Sequence, residues 1–148
     1  MTSAFQAAAQ QQGHMYDQQC RYLLQDAGWD CTPTPIYIPT AGVEIDCAAT
    51  KHNTTIWIEF KGSWRGNQPG MRRTDTTKKA LLTGFLLAAT GHPHPYIVLT
   101  SHLPQPGSAG ATMVDIALRT GTTSAVLCTS DPGWAAQLDR ITHERTPV

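Results

Sequence analysis

The chain has no apolar run approaching the ~18 residues that a membrane span requires. The longest candidate is 80–89, so no membrane partner is expected. The N-terminus shows no basic region followed by an apolar stretch, so no signal peptide is expected either. Cysteine is sparse: Cys20, Cys31, Cys47 and Cys128 are scattered with no C-x-x-C pair, which argues against a zinc cluster or a disulfide framework. They read as buried free thiols of a cytoplasmic protein. The six histidines show no ligand spacing, and His92 and His94 lie in a turn between Gly91 and Pro95. No repeat or low-complexity block occurs beyond an Ala/Gln-rich start at residues 2–12. Net charge is also missing: eleven basic residues cancel eleven acidic ones, so no global field draws in a polyanion.

What is present begins with a composition suited to folding. At 148 residues, 41% hydrophobic and 15% charged, the chain is long enough for a real core and reads as one domain over 1–148. The charge is unevenly placed. Seven of the eleven Lys and Arg (Lys51, Lys61, Arg65, Arg72, Arg73, Lys78, Lys79) fall between residues 51 and 79, against only Glu59 and Asp75. A local surplus of this kind is the footprint of a nucleic-acid surface or of a solvated basic loop.

Periodicity then lays out the elements. Tyr16, Cys20, Leu23, Leu24 and Ala27 fall on one helical face, with Gly28 as the stop. Pro33, Pro35 and Pro39 confine Ile36–Ile38 to a short strand at a sheet edge. Val43–Cys47 alternates with period two and reads as a strand; a polar turn at Lys51–Thr54 joins it to a second strand, Thr55–Lys61. Gly62–Thr74, basic and almost without apolar residues, reads as a loop that is expected to be mobile. A helix follows over 75–90 with Thr74 as N-cap and an apolar stripe of Leu81, Leu82, Phe85, Leu86 and Ala89. Tyr96–Thr100 has the length and continuous apolarity of a strand buried on both faces. A short helix at 112–119, a strand at 124–128 and a helix at 132–141, capped by Asp131 with Pro132 at its first position, complete an order α-β-β-β-α-β-α-β-α.

Chemistry concentrates on the hairpin. Glu59 and Lys61 stand two apart on one strand, so both side chains leave the same face. Asp46 lies thirteen residues before Glu59 on the neighbouring strand. Two carboxylates and an ammonium gathered on one face cost several kcal/mol each to bury unless they are paired. A structural ion pair between Lys61 and an acid would meet part of that cost. A divalent cation would meet more of it, because Mg²⁺ takes one or two carboxylates and completes its shell with water and phosphate oxygens.

Asp46 followed by Ile58-Glu59-Phe60-Lys61 at the end of an apolar strand resembles the PD-(D/E)xK nuclease superfamily, which includes restriction endonucleases and Holliday junction resolvases. The resemblance implies an α/β fold with the α-β-β-β-α-β core of that superfamily over about 14–101. It implies a mixed sheet flanked by helices, with 102–148 as an added α-β-α extension. It implies that Asp46 and Glu59 ligate Mg²⁺, or Mn²⁺ in its place, while Lys61 positions or activates a water. The implied activity is metal-dependent endonucleolytic hydrolysis of phosphodiester bonds, with DNA as the favoured substrate. Glu44-Ile45 precedes Asp46 where many members carry a proline. Members also place an acidic or amide residue on the first helix, for which Gln18 or Gln19 are candidates. Glu44 is either a further ligand or a surface residue.

Arg65, Arg72, Arg73, Lys78 and Lys79 are the expected phosphate contacts. An anion bound at the start of their helix would offset the unfavourable placement of Lys78 and Lys79 against its dipole. Trp64 either stacks on a base or caps the core, and Trp57 reads as structural support. A different function class is a nucleic-acid-binding subunit, non-catalytic or active only within a larger restriction, defence or recombination complex. Homodimer formation would supply the two sites needed to cut both strands.

Overall fold

The computed structural model describes residues 4–63 and 69–144, with side chains described over 15–63 and 69–143. Helix α1 (Ala4–Asp26) takes in most of the Ala/Gln-rich start. It packs through the expected face, with Tyr16, Cys20 and Leu24 fully buried and Leu23 and Ala27 partly so. Gly28 ends it at φ +93°. The Gly28 N–H donates to the Gln25 carbonyl and the Trp29 N–H to that of Leu24, the paired closure that a left-handed glycine permits.

Five strands form one sheet in the order β1-β4-β5-β6-β7: Asp30–Cys31, Cys47–Lys51, Thr54–Lys61, Tyr96–Thr100 and Ala125–Cys128. β1, β4 and β5 run antiparallel, whereas β5, β6 and β7 are parallel. The parallel pairs need crossovers, supplied by α2 (Thr74–Ala89) and α3 (Ala109–Thr120). The fold is therefore α/β, a mixed sheet with helices on both faces. One face holds Ile56, Ile58 and Phe60 against α1 and against Trp134 and Leu138 of α4 (Trp134–Glu144). The other holds Tyr96 and Val98 against Ala80 and Leu87 of α2. Among the described residues no helix is long and apolar enough to cross a membrane.

Several expectations are corrected by long-range hydrogen bonding. Val43–Cys47 is not one strand. β3 (Val43–Ile45) pairs with β2 (Ile36–Ile38) in a separate two-stranded ribbon. Asp46 is the break: its N–H donates to the Ile58 carbonyl at 3.1 Å, while its own carboxylate accepts the Phe60 N–H at 2.7 Å. A side chain thus takes the place of a ladder carbonyl. The strand that borders β4 is β1, from a segment with no strand pattern, so Ile36–Ile38 does not edge the large sheet. The hairpin forms with a different first strand: β4, not Val43–Cys47, pairs with β5, and the turn lies within the expected segment, made by His52 and Asn53, both at positive φ.

Helix α2 also buries a different face from the leucine stripe. Thr77, Ala80, Gly84 and Leu87 face inward, while Leu82 and Phe85 are 55% and 54% exposed. Close packing decides this, because a Cβ at Gly84 would lie 2.7 Å from the Tyr96 ring and 2.8 Å from the Thr122 carbonyl. Thr74 is inside the helix, and the cap position is Arg73, which makes no side-chain capping bond. Thr77 instead donates its hydroxyl to the Met71 carbonyl at 2.8 Å. α3 begins earlier than expected because Ser108 accepts the Ala111 N–H. α4 begins at Trp134, after a turn in which Asp131 accepts the Gly133 N–H, so Pro132 precedes the helix.

Candidate functional site

The C-terminal end of β5 carries the chemistry. Odd-numbered residues of this strand leave the face opposite α1, so Trp57, Glu59 and Lys61 project together. Trp57 packs with the second core cluster, flanked by the His92 and His94 rings at 5.1 Å each. That makes it structural support on the same face as Glu59. The parallel neighbour β6 places Val98 beside Glu59 and Thr100 beside Lys61. Glu59 is only 6% exposed.

Asp46 arrives from the break between β3 and β4 and is anchored through one carboxylate oxygen to the main chain of Phe60, between Glu59 and Lys61. Arg21 of α1 fixes it from the other side. Its Nη2 donates to the Asp46 carbonyl at 2.6 Å, its Nε donates to that of Thr32 at 3.4 Å, and its guanidinium lies 5.2 Å from the Phe60 ring centre. The Lys61 ammonium stands 3.4 Å from Glu59 Oε2. The ion pair that was the plain alternative for this lysine is therefore present.

One pairing does not balance the site, because Asp17 joins it from α1. Burial first, and then the Asp46 charge, raise the Asp17 carboxyl to about 7 against the opposing effects of Arg21 and Lys61. Glu59 rises to about 8, first through burial, then through Asp46, with Lys61 opposing and Asp17 adding. Three carboxyl groups thus share the field of two cations, and the Arg21 donors are directed to backbone carbonyls. Asp17 is the residue that the sequence reading missed. It stands at offsets 0, 3 and 7 with the buried Cys20 and Leu24, an acid on the packed face of a Gln-rich helix. Gln18 and Gln19 are both exposed and point away from that face. Glu44 is also exposed, opposite Tyr37 in the ribbon, and it is not drawn into the site.

Among the described residues, no group of three or more Asp, Glu, His or Cys side chains is arranged to hold a metal ion. The donor set nevertheless fits Mg²⁺ in kind. It offers hard oxygens from two carboxylates, Glu59 on β5 and Asp46 beside it, whose ionised forms burial makes costly.

Arg72, Arg73, Lys78 and Lys79 cluster at the start of α2, all exposed and without an ion pair among the described residues. Arg65 and Trp64 lie outside the described residues. Lys51 leaves this group. At the far end of the sheet it pairs with Asp139 at 2.9 Å and donates to the Ala27 carbonyl at 2.7 Å. Two cysteines, Cys20 and Cys47, are buried as expected, whereas Cys31 and Cys128 are partly exposed; all four are free. No known protein family, no curated protein and no solved structure matches this chain.

Proposed function

We propose that the chain is a divalent-metal-dependent endonuclease of the PD-(D/E)xK kind, acting on DNA. In this reading α1, β1, β4, β5, α2 and β6 make up the α-β-β-β-α-β core, and the α3-β7-α4 segment is an extension. The carrying observation is Glu59: a glutamate 6% exposed, raised by burial first and then by the neighbouring charges of Asp46 and Asp17, and offset by Lys61 at 3.4 Å. Buried acids held at such a cost are the mark of sites that do chemistry.

Each residue then has a role. Asp46 and Glu59 present oxygens to Mg²⁺, with Mn²⁺ as a substitute. The anchoring of Asp46 to the Phe60 N–H keeps its carboxylate from swinging away. Asp17 supplies further negative charge from the helix side. Lys61 orients the attacking water and counters charge growing on the phosphate. When bound, the ion would lower the pKa of that water and neutralise phosphate oxygens. Arg72, Arg73, Lys78 and Lys79 hold the backbone of the substrate in register.

The test is incubation of the purified protein with plasmid, linear, single-stranded and junction DNA in Mg²⁺, Mn²⁺, Ca²⁺ or EDTA. Cleavage is expected with Mg²⁺ and Mn²⁺, and binding with little cleavage in Ca²⁺. Asp46→Ala, Glu59→Ala and Lys61→Ala should each abolish cleavage while retaining a folded circular dichroism spectrum. Metal affinity should fall in the two carboxylate variants and persist in Lys61→Ala. A Glu59→Ala protein that cuts at the wild-type rate would refute the assignment.

One observation favours a second reading, a subunit active only in a larger complex: the carboxylates are not arranged around an ion as they stand. That reading expects DNA binding and metal-dependent stabilisation without cleavage by the isolated chain.

A further inference from the structure

Two thiols lie at the root of the β2–β3 ribbon. Cys31 ends β1, where the chain leaves the large sheet, and Cys47 begins β4, where it re-enters. The whole ribbon and Asp46 lie between them. In the antiparallel register Cys31 stands opposite Ala49. Cys47 precedes Ala49 by two residues, so both cysteines leave the same face of the sheet as diagonal neighbours. Each thiol acts on the other's titration, and neither is in a disulfide. Cys31 is partly exposed, whereas Cys47 is completely buried.

That asymmetry is the arrangement of an attacking and a resolving thiol. The Cys47 thiol holds the Cys31 thiol below its ordinary value, burial opposes this, and Arg21 adds to the lowering. A partly exposed thiol with more thiolate character is the one that peroxides reach first.

We propose that Cys31 and Cys47 form a peroxide-driven disulfide that closes the base of the ribbon and turns down the site at Asp46. The Cys31 thiolate attacks a peroxide oxygen, breaking the O–O bond. It becomes a sulfenic acid, and the other peroxide oxygen leaves as water after taking a proton. The Cys47 sulfur then attacks the Cys31 sulfur, its proton goes to the departing hydroxyl, and a second water leaves. Two thiols and one peroxide become a disulfide and two waters, and a dithiol reductant reverses the change.

The bond reaches the site through the main chain. A bond of about 2.05 Å between the two sulfurs would draw the two strands together at Cys47. Asp46 is the next residue, held by its bonds to Ile58, Phe60 and Arg21. Metal ligands must be placed within about 0.5 Å to function, and misplacement on the order of 1 Å costs up to about 100-fold in rate. The effect on cleavage rests on the nuclease reading; the bond itself does not.

The experiment treats the full-length protein with hydrogen peroxide, counts free thiols under denaturing conditions, maps disulfide-linked peptides and measures Mg²⁺-dependent cleavage before and after dithiothreitol. The wild type should fall from four free thiols to two, with the Cys31 and Cys47 peptides linked. Cleavage should drop roughly 10–100-fold and return on reduction. Cys31→Ser should form no such link and keep its cleavage rate under peroxide. Cys20→Ser, which leaves the pair intact, should respond like the wild type. Four surviving thiols, or a link between other cysteines, would overturn the proposal even if the protein proved to have no nuclease activity. A mapped Cys31–Cys47 bond with unchanged cleavage by an active enzyme would overturn the regulatory half.

Discussion

Replacing Glu59 by Gln removes a titrating acid from the site while keeping its shape, and the result should be a more stable metal-free protein at neutral pH. Folding raises the Glu59 carboxyl from 4.5 to about 8, with burial as the largest cause. The folded chain therefore holds a proton that the unfolded chain releases. Its stabilising effect is complete below about pH 4.5 and is lost progressively as pH climbs towards 8. One proton is worth about 1.4 kcal/mol per pH unit, so moving the metal-free wild type from pH 5.0 to 7.5 should cost roughly 3 kcal/mol. Asp17, raised to about 7, adds to the same slope in the same direction.

Glu59→Gln mimics the protonated form at every pH. Losing the contact with Lys61 takes back up to about 1 kcal/mol, which leaves a net gain near 2 kcal/mol at pH 7.5. For a chain of this size that is a melting temperature roughly 4–8 °C above the wild type in EDTA. At pH 5.0 the two proteins should melt within a few degrees of each other. Mg²⁺ or Mn²⁺ at pH 7.5 should raise the wild-type melting temperature in a concentration-dependent way and leave the variant nearly unmoved. Differential scanning calorimetry across pH 5.0–7.5 reads all of this. Every other titrating group is shared by the two proteins, so the comparison with the variant isolates the acid. Equal melting temperatures for the two proteins at pH 7.5 in EDTA would refute the crowding argument, and with it the case for a site that awaits a cation.

Neutralising Arg72, Arg73, Lys78 and Lys79 together should weaken DNA binding alike for all sequences. It should flatten the slope of log K against log salt by about 3–4, at roughly 0.7–0.9 per lost phosphate contact; an unchanged slope would show that these charges merely face solvent. Gly62→Ala should destabilise the fold, because its Cβ would lie 2.5 Å from the buried Tyr16 ring. Overpacking of this kind costs about 1–3 kcal/mol, and thermal melts would read it as a fall of roughly 2–12 °C. A neutral Gly62→Ala would mean that α1 is free to move away from the end of β5.

The features that the sequence determined by itself are those whose cause is local. Glu59 and Lys61 share a face because a strand alternates, and Gly28 ends α1 because only glycine takes φ +93° without strain. The turn at His52 and Asn53 and the apolar runs at Tyr96–Thr100 and Ala125–Cys128 announce themselves by residue type. Glu59 and Lys61 were therefore legible as a pair in the sequence. Other features depend on partners far away in the chain, and only the tertiary structure decided them. β1 has no strand pattern and exists because β4 offers it a ladder. Asp46 breaks the run at Val43–Cys47 because Phe60, fourteen residues on, donates its N–H to the Asp46 carboxylate. α2 turns Leu82 and Phe85 outward because Gly84 must approach Tyr96. Asp17 enters the site, in preference to its glutamine neighbours, because the rotation of α1 is set by packing Tyr16, Cys20 and Leu24 onto the sheet. A helix's phase against a sheet is a property of the contact between them, and neither periodicity nor spacing along one chain segment contains it.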